Sequence, residues 1–462
     1  MASGHPDKAV PIYERLVHAL PGNPGLIMNL GIALEMSGHD RAATNQFITV
    51  LKLNPQSLSA RLFLGLAYLD LGQSQDAIGQ LRKVVAGQPK NELVRWKLGD
   101  AYFSLGKYAA AEREFQALCK LNPRNPKGWY GLGRCYFSLW FSTVQKLRHI
   151  APDSGYALAL LAGTYSRHRQ YATAVQLYRK AMAKLPALPG LHAAVAEIYK
   201  TTGHPEWAAV EEKKERLIAP TVCKTDQLAC DYREGRYDEL LASASHKVSA
   251  ESYYWESKAY LRKSTAAYAH LSELPPSAEF HEITAKVDLA QGEFRKCVKE
   301  WQEALRLSPN DPEIEKNLAI AYKSFGDQEN ARKILARLVT RRPEDSDVNY
   351  LFGDTLLSLH QPSQAIPFLK KAVRLNPSLL PAQGSLAKAY FETGQAKQAI
   401  PHFKAALSID RDGSLHYELA RAYQQEGQIA LAEQMVKRFQ KIRQAQAQPQ
   451  KSPPLEPPTP LP

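Results

Sequence analysis

The feature that most constrains this chain is a pattern of small and aromatic residues that recurs every 34 positions. In the copy at 91–124, Gly99 lies on one face of a first amphipathic helix. Gly106 stands where a left-handed residue ends that helix, and Ala111 and Phe115 share the inner face of a second helix. The pattern therefore predicts two short helices joined by a tight turn.

The same positions recur along the chain on both sides of this copy. Small, aromatic and proline residues occupy the equivalent places of the two preceding copies: Gly65, Tyr68, Gly72, Ala77 and Pro89, then Gly31, Gly38, Ala43, Phe47 and Pro55. One helix pair exposes too much apolar surface to be stable alone, so it is stabilised when the next pair stacks on it. A fixed period of this length is typical of a stacked repeat array.

These residues resemble the tetratricopeptide-repeat (TPR) family, whose small and aromatic positions match those quoted. The resemblance implies an all-α fold: a right-handed superhelical solenoid of stacked antiparallel helix pairs. Continuing the register gives about 13 repeats plus an N-terminal half repeat. A length of 462 residues would otherwise predict three domains of about 150 residues, but an array grows without separate cores.

The register divides the chain into four parts. An N-terminal block at 1–222 holds the half repeat and six repeats, one of them shortened near 126–154 because its turn glycine is lost. Degenerate, shortened repeats follow at 223–277, and a C-terminal block covers 278–445. The last stretch, 446–462, is too rich in proline to pack and is predicted to be disordered.

The compartment is predicted from the chain start and the cysteines. The first residues lack the apolar core of a signal peptide, and five cysteines in no zinc-site spacing are expected to be buried thiols of a reducing compartment. We therefore expect a cytoplasmic protein without a transmembrane segment. Because residues 1–23 look like half a repeat, a longer natural N-terminus remains an alternative, and it would allow an exported or periplasmic protein.

The formal net charge of +13 leaves the class of partner open. Excess positive charge is compatible with nucleic acid, an acidic partner or an anionic membrane surface. Interleaved charges at 211–216 favour the simpler interpretation, a solvated repeat exterior. Nucleic acid is therefore the less favoured partner.

The motifs of common catalytic sites do not occur. The sequence has no HExxH, phosphate-binding loop, GxSxG or CxxC pattern, and its 13 histidines form no close pair with metal-ligand spacing. Gly131 and Gly133 open a GxG without a third glycine, and Gly133 is interpreted as a helix-contact residue. We expect no enzyme activity, no cofactor and no metal site.

The resemblance implies a binding groove. In the family, first helices line a concave groove, and residues two, five, nine, twelve and thirteen of each repeat face it. In the N-terminal block these positions are apolar and aromatic with a few charges: Met28, Ile32, Leu62, Leu66, Leu69, Trp96, Asp100, Phe103, Lys127, Tyr130, Arg134 and Phe137. Aromatic and Arg residues are common anchors of protein recognition, so Trp96 is the leading candidate. The alternative is that these side chains pack on neighbouring helices.

In the C-terminal block the same positions are more basic. They are Lys316, Lys323, Tyr350, Asp354, Lys388, Phe391, Tyr417 and Arg421, a surface predicted to suit an acidic or extended peptide. The family's two-carboxylate clamp for chaperone tails uses a fixed Lys/Asn/Arg set across neighbouring repeats, which is not found here.

These patterns favour a non-enzymatic protein–protein interaction scaffold that binds a peptide or protein segment in the concave groove. Two alternatives stay open. The first is a nucleic-acid-binding helical repeat protein, in which one repeat reads one base. The second is the regulatory TPR arm of an enzyme complex such as a glycosyltransferase.

Overall fold

The computed structural model of the protein describes residues 6–218, 223 and 226–447. Over these residues the regular structure is helical, with no β-strand. No helix in this part of the chain is long and apolar enough to cross a lipid bilayer. The described residues up to Leu105 and from Leu274 onward form one compact unit, unit 1, and those from Gly106 to Glu273 form a second, unit 2.

Unit 1 consists of antiparallel helix pairs from two stretches of the chain. The first stretch contains α1 (Pro6–Ala19), α2 (Pro24–Met36), α3 (Asp40–Leu53), α4 (Leu58–Asp70), α5 (Ser74–Gly87) and α6 (Glu92–Ser104). Unit 2 follows with α7 (Tyr108–Leu121), α8 (Pro126–Ile150), α9 (Gly155–Arg167), α10 (Tyr171–Lys184), α11 (Leu191–Thr201), α12 (Pro205–Ile218), α13 (Gln227–Arg233), α14 (Tyr237–Ala244) and α15 (Ala250–Glu273). The second stretch of unit 1 contains α16 (Ala278–Ala290), α17 (Phe294–Leu307), α18 (Pro312–Phe325), α19 (Gln328–Arg341), α20 (Ser346–Ser358), α21 (Pro362–Leu375), α22 (Leu380–Glu392), α23 (Ala396–Ala406), a 3-10 turn (Leu407–Ile409), α24 (Ser414–Gln425) and α25 (Ile429–Ala447).

First helices begin at polar caps that recur with the repeat. The side chains of Asn23, Ser57 and Asn91 accept hydrogen bonds from backbone N–H groups at the starts of α2, α4 and α6. Asp311 does the same for α18, accepting from the N–H groups of Glu313 and Ile314 at 2.9 and 3.2 Å. Such caps satisfy donors that a helix leaves unpaired, and they fix where each repeat starts.

The turn between the two helices of a repeat adopts a left-handed conformation. Gly72, a predicted turn glycine, and Gly326, at the equivalent position of a later repeat, have φ of 72° and 90°. Arg169 and His360 occupy the same position in two other repeats, with φ of 60° and 58°. The turn geometry is therefore kept even where the residue is not glycine, at a cost that glycine would avoid.

Close helix contacts explain the small residues of the pattern. A Cβ added at Gly31 would lie 2.5 Å from the ring of Phe47, and one at Gly353 would lie 2.6 Å from Cγ of Leu369. Both distances are shorter than any ordinary contact, so the two helices of each repeat approach through the missing side chain. Interiors packed this closely tolerate added volume poorly.

The two shortened repeats are single long helices. α8 has 25 residues and α15 has 24, whereas α9 and α10 have 13 and 14. They run antiparallel and pack against each other over much of their length. Trp129 stacks on His270 with ring centroids 4.5 Å apart, and Tyr136 stacks on Tyr260 at 6.5 Å. In unit 2, α15 therefore takes the place of the second helix that the repeat beginning at α8 lacks.

The four blocks expected from the register stay a prediction beside the two compact units. Unit 2 spans parts of two predicted blocks, and Gly235 marks the turn of its short pair α13 and α14, with φ of 75°. The final helix extends to Ala447, and the rest of the predicted disordered tail, 448–462, lies outside the described residues.

The expectation that all five cysteines are free thiols was wrong. Cys223 and Cys230 form a disulfide, while Cys119, Cys135 and Cys297 are free and buried. Spacing alone could not pair Cys223 with Cys230, because the pairing depends on how α13 is oriented. Cys297 is fully buried, as expected for a buried thiol.

Candidate functional site

The predicted groove residues of α2, α4 and α6 are half-buried. They are Met28, Ile32, Leu62, Leu66, Trp96, Asp100 and Phe103. Met28 and Ile32 pack at the edge of the core cluster that contains Phe47, and Leu62 packs at the edge of the next cluster. The ammonium of Lys97 lies 4.1 Å from the ring centroid of Trp96. Each side chain therefore contributes to packing and keeps part of its surface open, and a binding role for this strip stays a prediction.

The basic positions of the C-terminal block are paired with carboxylates. The ion pairs are Lys316 with Glu313 at 2.8 Å, Lys323 with Asp354 at 2.5 Å, Lys388 with Glu392 at 3.8 Å and Arg421 with Glu418 at 3.1 Å. Among the aromatic members, Tyr350 and Phe391 are half-buried and Tyr417 is exposed. This surface consequently offers less unpaired positive charge than its composition indicates.

On α8 of unit 2, the predicted positions differ strongly in exposure. Tyr130 is only 6% exposed, and the guanidinium of Arg134 lies 4.7 Å from its ring centroid. Lys127 is half-buried, whereas Phe137 is 50% exposed. Of these four side chains, Phe137 therefore offers the most surface to a partner.

Two aromatic residues beside Phe137 were missed from sequence. The ring centroid of Trp140 lies 5.0 Å from that of Phe137 and 6.5 Å from that of Phe141, which is 55% exposed. The predicted groove positions end where a first helix normally ends, but α8 continues and carries Trp140 and Phe141 on its extension. In the sequence, the absence of a turn glycine before Trp140 and Phe141 indicates that the helix continues through them. We call Phe137, Trp140 and Phe141 the aromatic cluster.

The unit 2 cavity lies beside the aromatic cluster. It has a volume of about 130 Å³ and is lined by side chains of α8, α9, α10, α11 and α15. Trp140, Leu191 and Leu261 supply apolar walls. This volume suits one short side chain or a small molecule.

Two cations, Arg167 and Lys258, line this cavity. The guanidinium of Arg167 lies 5.6 Å from the ring centroid of Trp140 and donates to the hydroxyl of Thr164 at 3.3 Å. The ammonium of Lys258 lies 5.2 Å from the ring centroid of Tyr232 and 5.9 Å from that of Tyr254. Within the described part of the chain, neither cation forms an ion pair with a carboxylate.

Burial shifts the titration of the groups around the cavity. It lowers the pKa of Lys258 to about 8, and the nearby charge of Arg262 acts in the same direction. Burial also lowers the pKa of Arg167 and raises that of Tyr178. The nearby carboxylate Glu215 accepts hydrogen bonds from the backbone N–H groups of Gly190 and Ala193 at 2.7 and 3.2 Å. The cavity is thus positively charged and poorly compensated.

The described residues contain one grouping that resembles a metal site, formed by Cys223, Cys230 and Glu234. Its two sulfur atoms are joined in the disulfide, so neither is available as a thiolate ligand. The arrangement of side chains on α8, α9 and α15 is suited to binding through aromatic contact and charge.

Comparison with protein families agrees with this architecture. Models described as tetratricopeptide repeat or TPR repeat match residues 33–92, 99–139, 157–189, 206–380, 356–415 and 413–438. The chain belongs to the tetratricopeptide-repeat family.

Individual relatives are more distant. Aspartyl/asparaginyl beta-hydroxylase of Homo sapiens is 25% identical over 150 residues, which are 31% of this chain and 19% of that protein. The Mus musculus protein of the same name is 23% identical over 150 residues, 31% of this chain and 20% of that protein. The chain thus spans about a fifth of the length of these curated relatives.

Solved structures with similar helical repeats cover part of this chain. MamA from Desulfovibrio magneticus RS-1 is 22% identical, with a TM-score of 0.33, covering 37% of this chain and 97% of that one. A thermophilic TPR protein of Thermus thermophilus is 21% identical, with a TM-score of 0.32, and the match covers 37% of this chain and 93% of that one.

Proposed function

We propose that this TPR protein is a non-enzymatic scaffold that binds a peptide or protein segment on the first helices of its repeats. The aromatic cluster on α8 carries this proposal. Phe137 and Phe141 are about half exposed, at 50% and 55%, and they flank Trp140 at the edge of the unit 2 cavity. Neighbouring exposed aromatic side chains next to a cavity are typical anchors of a protein interface.

The test compares partners captured from native lysate by the intact chain and by the double variant Phe137→Ala, Phe141→Ala. Both side chains are about half exposed, so the fold should survive their removal. A matched control is Phe294→Ala, Phe325→Ala, which removes two exposed aromatic side chains of unit 1 that are 39% and 43% exposed. A Trp96→Ala variant tests the predicted N-terminal strip in the same assay.

The proposal would be supported if proteins captured by the intact chain are lost with the α8 variant and retained with the unit 1 control. Equal recovery by all forms would contradict it. Recovery of mainly nucleic acid that moderate salt removes would instead favour the nucleic-acid alternative, because phosphate contacts weaken steeply with salt.

A second candidate function, the repeat arm of an enzyme complex, is favoured by the match to aspartyl/asparaginyl beta-hydroxylase, of which the similar segment is about a fifth. Purification of the native protein under mild conditions tests it. Co-purification of a catalytic subunit in fixed proportion would support this second function, and a protein that purifies with no catalytic subunit would contradict it.

The disulfide bears on the compartment. Disulfides persist mainly in oxidising environments, so the Cys223–Cys230 bond favours the exported alternative over the cytoplasmic one. Alkylation of the protein unfolded in denaturant without reductant, followed by mass spectrometry, tests this, because the three free cysteines are buried in the native fold. Three modified cysteines would support it, and five would contradict it.

A further inference from the structure

The unit 2 cavity is lined by two cations, Arg167 and Lys258, that have no carboxylate partner within the described part of the chain. Arg167 and Lys258 project from α9 and α15, and their contacts are a hydroxyl and aromatic rings rather than carboxylates. Buried or partly buried cations are normally paired with an anion, because a cation that is removed from water without a counter-charge pays a desolvation penalty. Every basic residue of the predicted C-terminal strip has such a partner, in contrast to Arg167 and Lys258.

The carboxylate of Glu215 does not remove this imbalance. Its two oxygens accept the backbone N–H groups at the start of α11, at 2.7 and 3.2 Å. It is one negative charge among three positive ones, since Arg262 also acts on Lys258. An additional anion would therefore be attracted to this cavity.

The cavity also has room for such a group beside the cations. Gly163 lies on α9 with no side chain between the helix and the cavity. A Cβ placed there would be 3.4 Å from Oη of Tyr178 and 4.0 Å from Nη1 of Arg167. Oη of Tyr178 and the guanidinium of Arg167 are donors that face this space, and apolar side chains such as Leu191 surround it.

We propose that the unit 2 cavity binds an acidic side chain of the partner segment, with its carboxylate held by Arg167 and Lys258. This inference rests on the proposed scaffold function and names the chemistry that the partner supplies. The aromatic cluster contacts the segment around the acidic residue, and the cavity walls contact its aliphatic stem. The volume of about 130 Å³ admits one Asp or Glu side chain.

The test measures affinity for small probes with the full chain, by ligand-observed NMR titration. The probes are acetyl-Ala-Glu-Ala-amide, its Gln counterpart, glutarate and inorganic phosphate. The variants are Lys258→Met and Arg167→Gln, which remove one charge each. The matched control is Lys146→Met, an exposed lysine of α8 whose ammonium lies 5.9 Å from the ring centroid of Tyr253 outside the cavity.

The Glu peptide should bind about tenfold or more tightly than the Gln peptide, and each cavity variant should weaken it by a similar factor. Lys146→Met should bind as the wild type does. Wild-type affinity should fall as pH rises from about 7 to about 9.5, because Lys258 loses its proton near a pKa of about 8, and Lys258→Met should lack this dependence.

Equal affinity for the Glu and Gln peptides, or unchanged affinity in Lys258→Met, would overturn the proposal. If glutarate or phosphate binds and the Glu peptide does not, the proposal is also overturned, and the ligand of the cavity is a free small anion. If Lys258→Met does not fold, Gly163→Met fills the same space from α9, and normal Glu-peptide affinity in that variant would count against the cavity. Probe binding needs no partner, so its failure is distinct from failure of partner capture.

Discussion

The hydroxyl of Ser264 donates a hydrogen bond of 3.0 Å to the backbone carbonyl oxygen of Gly133, although 131 positions separate the two residues. A Cβ at Gly133 would lie 2.4 Å from Cε1 of Tyr268, one helical turn further along α15. In regular repeats the equivalent glycine contacts a helix 16 positions later, as Gly353 contacts Leu369. The same kind of small-residue contact therefore joins two helices that are distant in sequence, α8 and α15 of unit 2.

Replacing Gly133 with Leu should destabilise unit 2 by about 1–3 kcal/mol, because the added side chain forces α8 and α15 apart. Hydrogen exchange of α8 and α15 peptides, measured by mass spectrometry, reports the change locally. Gly79→Ala is the control, since Gly79 has no atom within 4 Å of its Cβ position. Unchanged protection in Gly133→Leu would show that the two helices do not depend on this contact.

Replacing His360 with Gly should stabilise unit 1 by about 0.5–1 kcal/mol, because the left-handed φ of 58° strains a residue that has a Cβ. Urea denaturation checks the direction. The reciprocal variant Gly394→His places a side chain at the equivalent turn, where φ is 76°, and should destabilise. Shifts of the same sign in both variants would contradict this account.

Replacing Asp311 with Ala should cost about 0.5–2 kcal/mol, since two backbone N–H groups of α18 lose their acceptor. Asp311→Asn keeps a side-chain oxygen and should retain most of the stability. Thermal unfolding followed by circular dichroism compares the two variants. A cap role would be refuted if both variants melted with the wild type.

Unit 1 should lose stability as pH rises from about 5 to about 8. Burial, together with the charges of Asp70 and Asp40, raises the pKa of Glu35 to about 8, and burial with Asp70 raises that of Asp40 to about 6. The native state therefore retains protons that the unfolded chain releases, so this contribution is full below the unfolded pKa and disappears as pH passes the folded one. Arg342, which donates to Asp70 at 3.0 Å, compensates only part of the negative charge.

Urea denaturation at several pH values, with hydrogen exchange of α2 and α3, measures this dependence. Glu35→Gln should flatten it, whereas Glu14→Gln, at an exposed position of α1, should leave it as in the wild type. A wild-type profile that rises from pH 5 to 8 at α2 would contradict the assignment.

Without ligand, Lys258→Met should make unit 2 more stable near neutral pH. The pKa of Lys258 is lowered to about 8 by burial, so the charged form is disfavoured in the native state. The unfolded chain binds the proton more strongly between about 8 and the ordinary lysine value, so wild-type stability rises with pH across that interval. The variant should show no such rise, which denaturation at pH values on both sides of 8 would reveal.

The local repeat can be predicted from the amino-acid sequence alone. Gly72, Gly326 and the caps such as Asn23 act within a few residues, and the contact of Gly31 with Phe47 joins neighbouring helices. Such short-range rules repeat with the period, so one copy predicts the others. The helix pairs and the family follow from them.

Which distant helices pack together could be seen in the folded structure but could not be predicted from the sequence. Gly133 was recognised as a helix-contact residue, but nothing near it in the sequence names Ser264 or Tyr268 as its neighbours. The cavity depends on that pairing, because α8 and α15 bring Trp140 and Lys258 beside α9. Pairing between distant helices depends on the total apolar surface buried over the whole unit. No local sequence pattern specifies that total.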